Sequence, residues 1–122
     1  MNFTHLHVHT EYSLLDGVNK IALLMQKTKD LGMDSIAMTN HGVIMYGLYE
    51  FWRTAKDIGI KPLIGCEIYL SLISRFKKEA FHGIKYYHLV LIASNLIGYK
   101  KYLIVNIYNG NIKFFISYLD CI

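Results

Sequence analysis

The sequence predicts an α/β domain with a mostly parallel sheet. Three observations carry this. Short apolar segments of strand type, "SIAMT" (35–39), "PLIGCEIYL" (62–70) and "YYHLVLIAS" (86–94), are interleaved with amphipathic helical stretches. Glycines Gly32 and Gly59 stand where two of those helical stripes end. The opening segment, residues 3–9, alternates in polarity as a half-buried strand does. Along the chain the order is β-α-β-α-β-loop-β-α.

Each element has a local reason. In "VNKIALLMQKTKDLG", Ile21, Leu24, Met25, Thr28 and Leu31 form one helical stripe, with Lys20, Lys27, Lys29 and Asp30 elsewhere. Asn19 is the expected N-cap, and Gly32 the residue after the last turn. A second helix is marked by Leu48, Phe51, Trp52, Ala55 and Ile58 and closed by Gly59, with Pro62 just beyond. The polar stretch "SRFKKEAFHGIK" separates the last two strands, and Asn95 is placed to cap a helix through "LIGYKKYLIV". From Lys101 onward the composition turns to Ile, Asn, Tyr, Phe and Lys with poor periodicity. Two readings of that tail stay open: a hairpin around "YNGN", or a stretch never selected to pack.

Composition narrows the class. At 122 residues, 53% apolar and 18% charged, the chain has the material for one core, or a piece of one, and is not a disordered tail. The net charge of +4 is spread rather than clustered, so electrostatics permits nucleic-acid contact without arguing for it. Cys66 and Cys121 are too few and too far apart for a disulfide framework or a zinc knuckle, and a reducing, cytoplasmic setting is expected. "MNFTHLHVHT" has no signal-peptide pattern, and no apolar run reaches bilayer length, so no membrane partner is expected.

The chemistry lies in "HLHVHTEYSLLDG". Histidines at alternate positions of a strand share a face, and imidazoles are the commonest side-chain ligands of transition metals. In a parallel α/β sheet, functional residues collect at the C-terminal ends of the strands. His7 and His9 end the first strand and Asp16 lies in the loop after it. His41 follows the second strand, Glu67 lies on the third and His88 on the fourth. Four imidazoles and two carboxylates suit Zn²⁺, Mn²⁺ or Fe²⁺. A carboxylate in a buried-type strand, such as Glu67, is costly unless paired or metal-bound. His5 is set aside as a packing or supporting residue, because three ligands from one straight strand do not converge on one ion. His82 reads as surface loop and Cys66, alternating with Glu67, as core.

At these residues the chain resembles a known family. "FTHLHVHTEYSLLDG", "LGMDSIAMTNHGVIMYGLYEF", "GIKPLIGCEIYL" and "HLVLIASNLIGYKKYL" look like the N-terminal PHP (polymerase and histidinol phosphatase) domain of bacterial replicative DNA polymerase III alpha subunits, over roughly residues 3 to 103. "YSLLDG" and "GIKPLIGCE" set it apart from stand-alone phosphatases of the histidinol phosphatase type, the more distant alternative. The resemblance implies a distorted (β/α)7 barrel with up to three divalent ions, Zn or Mn, at the strand C-termini. It assigns His7, His9, Asp16, His41, Glu67 and His88 as ligands; Asn40 departs from the usual Asp before that histidine. It further implies metal-dependent phosphoesterase or 3′–5′ exonuclease chemistry, with DNA and replicative subunits such as a sliding clamp as partners. A barrel of this kind takes on the order of 200 to 250 residues. The expectation is therefore the first three to four β/α units in residues 1–103, then a divergent, frame-shifted or non-native tail at 104–122. The polymerase active site is not expected in these residues. A non-catalytic structural or interaction module, or an inactive truncated product, is the alternative.

Overall fold

The computed structural model describes residues 3–14, 16–41, 46–70, 83 and 86–107, for 102–107 the backbone alone. Its elements are α1 (Ile21–Asp30), β1 (Ser35–Met38), α2 (Leu48–Ile58), β2 (Lys61–Leu70), β3 (Tyr87–Ile92) and α3 (Leu96–Ile107). The three strands form one sheet in the order β1-β2-β3. Among the described residues, no helix is long and apolar enough to cross a membrane.

The period-two rule of strands divides the sheet into a core face and a site face. Ile36 and Met38 of β1 pack with Ile21 and Met25 of α1 and Phe51 and Ala55 of α2, and Ile64 of β2 borders this core. Farther along β2, Cys66 and Ile68 bury against Leu89 and Leu91 of β3 and Tyr99 of α3. Full burial of side chains such as Ile21, Met25 and Phe51 stabilises by about 1.5–3 kcal/mol each. Glu67, between Cys66 and Ile68, faces the other way.

The helix ends follow their local signals. Gly32 and Gly59 both adopt left-handed backbone, with φ of 69° and 79°, where a side chain would be strained. Asn95 caps α3, its Oδ1 accepting the Gly98 N–H at 2.9 Å. Asn19 does not cap α1: the N-cap is Lys20, without a side-chain bond. The Asn19 amide instead donates to the His9 carbonyl at 2.8 Å, holding the loop that the site needs.

Three further expectations are corrected. The sheet is mixed rather than mostly parallel: β1 and β2 run parallel, β2 and β3 antiparallel. A parallel return requires a crossover of a dozen or more residues, usually a helix, whereas an antiparallel one does not, and strand-type patterning reads alike in either direction. Residues 3–9 lie along β1 without forming a regular strand. His5 bridges Ile36, and the amides of Ala37 and Thr39 donate to the His5 and Val8 carbonyls at 2.9 Å each. The Val8 N–H is taken by Thr39 Oγ1 at 2.9 Å, so a side chain replaces a ladder carbonyl there. Finally, Leu31 and Trp52 remain 51% and 46% exposed; α1 and α2 are packed through Met25, Phe51 and Ala55, and the outer flank of each stripe has no cover among the described residues. His82, Cys121, the "YNGN" turn and 108–122 lie outside the described residues.

Candidate metal centre

Backbone pairing brings the donors together. His41 forms a parallel bridge to Glu67, and the Glu67 N–H donates to the Asn40 carbonyl at 3.2 Å. The pairing of β1 with β2 thus carries past the end of β1 and sets His41 beside Glu67. In the antiparallel register, Glu67 opposes Val90 and Tyr69 opposes His88, so His88 lies one diagonal from Glu67 on the same face.

The segment carrying His7 and His9 is fastened to the end of β1 by polar side chains. Thr39 takes Val8, as above. The buried Asn40 accepts the Thr10 N–H through Oδ1 at 2.7 Å and donates Nδ2–H to Thr10 Oγ1 at 2.8 Å. Asn40 thus clamps the backbone beside the donor cluster. The chain then folds back: Ser13 N–H donates to the Thr10 carbonyl at 2.8 Å, and Asp16 and Gly17 N–H donate to the Ser13 carbonyl at 3.1 and 2.9 Å. Gly17 is required by close approach, since a Cβ there would stand 2.0 Å from the Thr10 carbonyl oxygen. Ser13, itself buried, accepts the His41 N–H at 3.0 Å through Oγ.

The structure brings all six proposed ligands together. His7, His9 and Glu67, then His9, Asp16 and His41, then His41, Glu67 and His88 form three groups whose ligand atoms lie within 4.8 Å of one another. His5 stands apart, edge-on to Phe3 at 4.8 Å. Glu67, only 2% exposed, is the hub. Its Oε2 lies 2.6 Å from His7 Nε2, 2.8 Å from His9 Nε2 and 3.8 Å from His41 Nε2, and its Oε1 contacts His88 Nδ1. Asp16 Oδ2 lies 2.7 Å from both His9 Nδ1 and His41 Nε2.

The donor set fits divalent cations. Burial by itself raises the Glu67 carboxyl. Hydrogen bonds from His7 and His88, the charge of His41 and a hydrogen bond from His9 outweigh it, leaving the carboxyl below its ordinary 4.5. It is an anion held in the interior. His9 presents both ring nitrogens to carboxylates, and the neutral form of an imidazole so placed would set one lone pair against an anion. His41 Nδ1 is buried with no hydrogen-bond partner among the described residues. Cations accepting lone pairs from imidazole and carboxylate alike relieve the opposed lone pairs.

Two residues that sequence reasoning missed complete the rim. Tyr69 and Tyr86 share the Glu67–His88 face, with ring centroids 4.3 Å apart. Their signal was available in the alternation, since Tyr69 follows Glu67 by two and Tyr86 precedes His88 by two. Burial, then Tyr86, Glu67 and Asp16, push the Tyr69 phenol above its usual 10.0. Ser13, Thr39 and Thr10 carried no periodic signal.

Comparison with known proteins agrees with this geometry. The family model for the PHP domain matches residues 5–119. The chain is 48% identical over 102 residues to the DNA polymerase III subunit alpha of Borreliella burgdorferi, covering 83% of this chain and 9% of that protein. It is 42% identical over 107 residues to that of Treponema pallidum, covering 87% and 9%, and 48% identical over 103 residues to that of Helicobacter pylori, covering 81% and 8%. The chain thus spans less than a tenth of the length of these relatives. Among solved structures, a candidate metal-dependent phosphoesterase from Bifidobacterium adolescentis matches with a TM-score of 0.56 and 19% identity, over 83% of this chain and 32% of that one. That likeness concerns the fold.

Proposed function

The chain belongs to the PHP domain family, and from this premise we propose that its cluster serves metal-assisted hydrolysis of a phosphodiester at the end of a DNA strand. The setting we propose is a DNA polymerase III alpha subunit, after the relatives it matches, with DNA and other replication subunits such as a sliding clamp as partners. The polymerase activity of such subunits is not assigned to these residues.

One observation carries the reading. A single buried carboxylate, Glu67, is shared by four imidazoles that arrive from three segments of the chain. Structural ion pairs rarely need that convergence, whereas a site for adjacent ions does. Zn²⁺ or Mn²⁺ ions would supply Lewis-acid charge for phosphate oxygens and a hydroxide nucleophile near neutral pH. His7, His9 and Glu67 would hold one ion and His41, Glu67 and His88 another, sharing the carboxylate. His9, Asp16 and His41 are the alternative grouping, since a neutral imidazole gives its one lone pair to one ion. Asp16 orients His9 and His41 together through one oxygen. Ser13 fixes the backbone of His41.

The test is ion content after loading with Zn²⁺ or Mn²⁺, together with release of nucleotides from a labelled DNA 3′ end. At least one ion per chain and Mn²⁺-dependent release are expected; His9→Ala should lower the ion content to what His41, Glu67 and His88 hold and abolish release. A chain that retains no ion overturns the reading. A second reading, a scaffold in which the ions only hold segments together, is favoured by the polar fastening of the His7–His9 segment to the end of β1 through Thr39 and Asn40. Tight metal with no hydrolysis would select it.

A further inference from the structure

Glu67 and His88 account for only part of the face they occupy. Beyond them, toward the end of β2 and the start of β3, Tyr69 and Tyr86 continue the same surface, 47% and 45% exposed. Neither takes part in the two apolar cores, which lie on the opposite face of β2 or nearer β1. Tyr69 lays one ring face against His41, with centroids 5.7 Å apart and planes at 21°. Tyr86 does the same against His88, at 5.8 Å and 22°. The two phenols are tilted by 53° to each other with centroids 4.3 Å apart, and each keeps nearly half of its surface open to solvent. Tyr69 also meets His88 edge-on, at 5.1 Å and 73°. The result is a continuous aromatic surface that starts on two proposed ligand imidazoles and runs outward to solvent.

We propose that Tyr69 and Tyr86 form a stacking platform for the nucleobase next to the phosphate held at the centre, so that the site selects phosphodiesters that carry a base. The inference rests on the phosphodiester reading above and names its substrate class. A base is joined to its phosphate by one sugar, which matches a platform that begins one ring away from the ligands. Aromatic side chains stack bases of any identity, so the platform selects for the presence of a base and against none in particular. A sugar phosphate lacking a base finds no comparable partner here. Were the tyrosines only cross-strand packing, they would act on stability and leave recognition alone.

The experiment measures binding, by fluorescence anisotropy, of a 5′-fluorescein oligothymidylate to the Mn²⁺-loaded chain. The partner probe is the same oligomer with the base missing from its 3′-terminal nucleotide; a phosphorothioate at the terminal linkage blocks hydrolysis in both. Wild-type protein is expected to favour the base-bearing end by about 5- to 150-fold, the range for stacking one base on an aromatic side chain. Tyr69→Ala and Tyr86→Ala reduce that preference, and Tyr69→Phe and Tyr86→Phe retain it. Equal binding of the two probes by wild-type protein, or no measurable binding of either, overturns the proposal without requiring any variant to fold. So does a preference that survives in the double alanine variant. The two readings fail separately. Metal-dependent cleavage of unblocked DNA without a base preference sinks the platform and leaves the phosphodiesterase. A preference carried by the tyrosines without cleavage does the reverse.

Discussion

Replacing Glu67 by Gln keeps the side chain's volume and removes its charge. Glu67 belongs to two of the three donor groups, and only His9, Asp16 and His41 form a group without it. The variant therefore retains one group of three, and most of the stabilisation that metal lends the fold should disappear. For one site, metal at 100 times its Kd stabilises by about 2.7 kcal/mol. At about 4 °C per kcal/mol for a domain of this size, that is a rise of roughly 10 °C in Tm per linked site. Thermal unfolding followed by circular dichroism, with Zn²⁺ and with chelator, reads the difference directly. The chelated Tm of the variant should fall only by the margin by which the imidazole contacts outweigh the carboxylate's burial penalty. A variant that keeps the full wild-type rise would refute the hub role of Glu67.

Further expectations concern the parts around it. The folded Glu67 carboxyl sits below its ordinary 4.5, so its contribution to stability is complete above that value and is lost as pH falls through the lowered folded value. Acid unfolding of the metal-free chain should lose this component in Glu67→Gln, as urea titrations at stepped pH would report. Gly17→Ala drives a methyl to 2.0 Å from the Thr10 carbonyl oxygen. It should cost about 1–3 kcal/mol and weaken metal binding through the Asp16 loop, seen by denaturation and by metal titration. Thr39→Val removes the hydroxyl that accepts the Val8 N–H. The stranded donor should cost about 1–3 kcal/mol in urea midpoint analysis, with the same loss at every metal concentration if the ligands keep their places.

What could be read from the sequence was what is decided locally. Gly32 and Gly59 end helices because only glycine takes the left-handed backbone there without strain, and Asn95 caps because its amide lies beside a helix start. The alternation of Cys66, Glu67 and Ile68 told which side chain leaves the core, and the rule that loops gather at strand ends pointed to the residues now found together. The direction of β3 was not legible, because the period-two pattern of a strand is the same whichever way the strand runs. Asn19 was drawn from capping α1 by a competing acceptor, the His9 carbonyl, that is adjacent only in the folded chain. Trp52 and Leu31 lie on apolar stripes whose coverage depends on what stands opposite. Thr39, Asn40 and Ser13 act through hydrogen bonds across 28 to 31 positions of sequence, a separation at which no pattern announces a partner.

Anomalous diffraction at the zinc edge, from crystals of the Zn²⁺-loaded chain, bears most directly on the shared centre. The account places the peaks within bonding distance, about 2.0–2.2 Å, of imidazole nitrogens of His7, His9, His41 or His88 and of the Glu67 or Asp16 carboxylates. Zinc found only at other side chains, with Glu67 bonded to imidazoles alone, would contradict it.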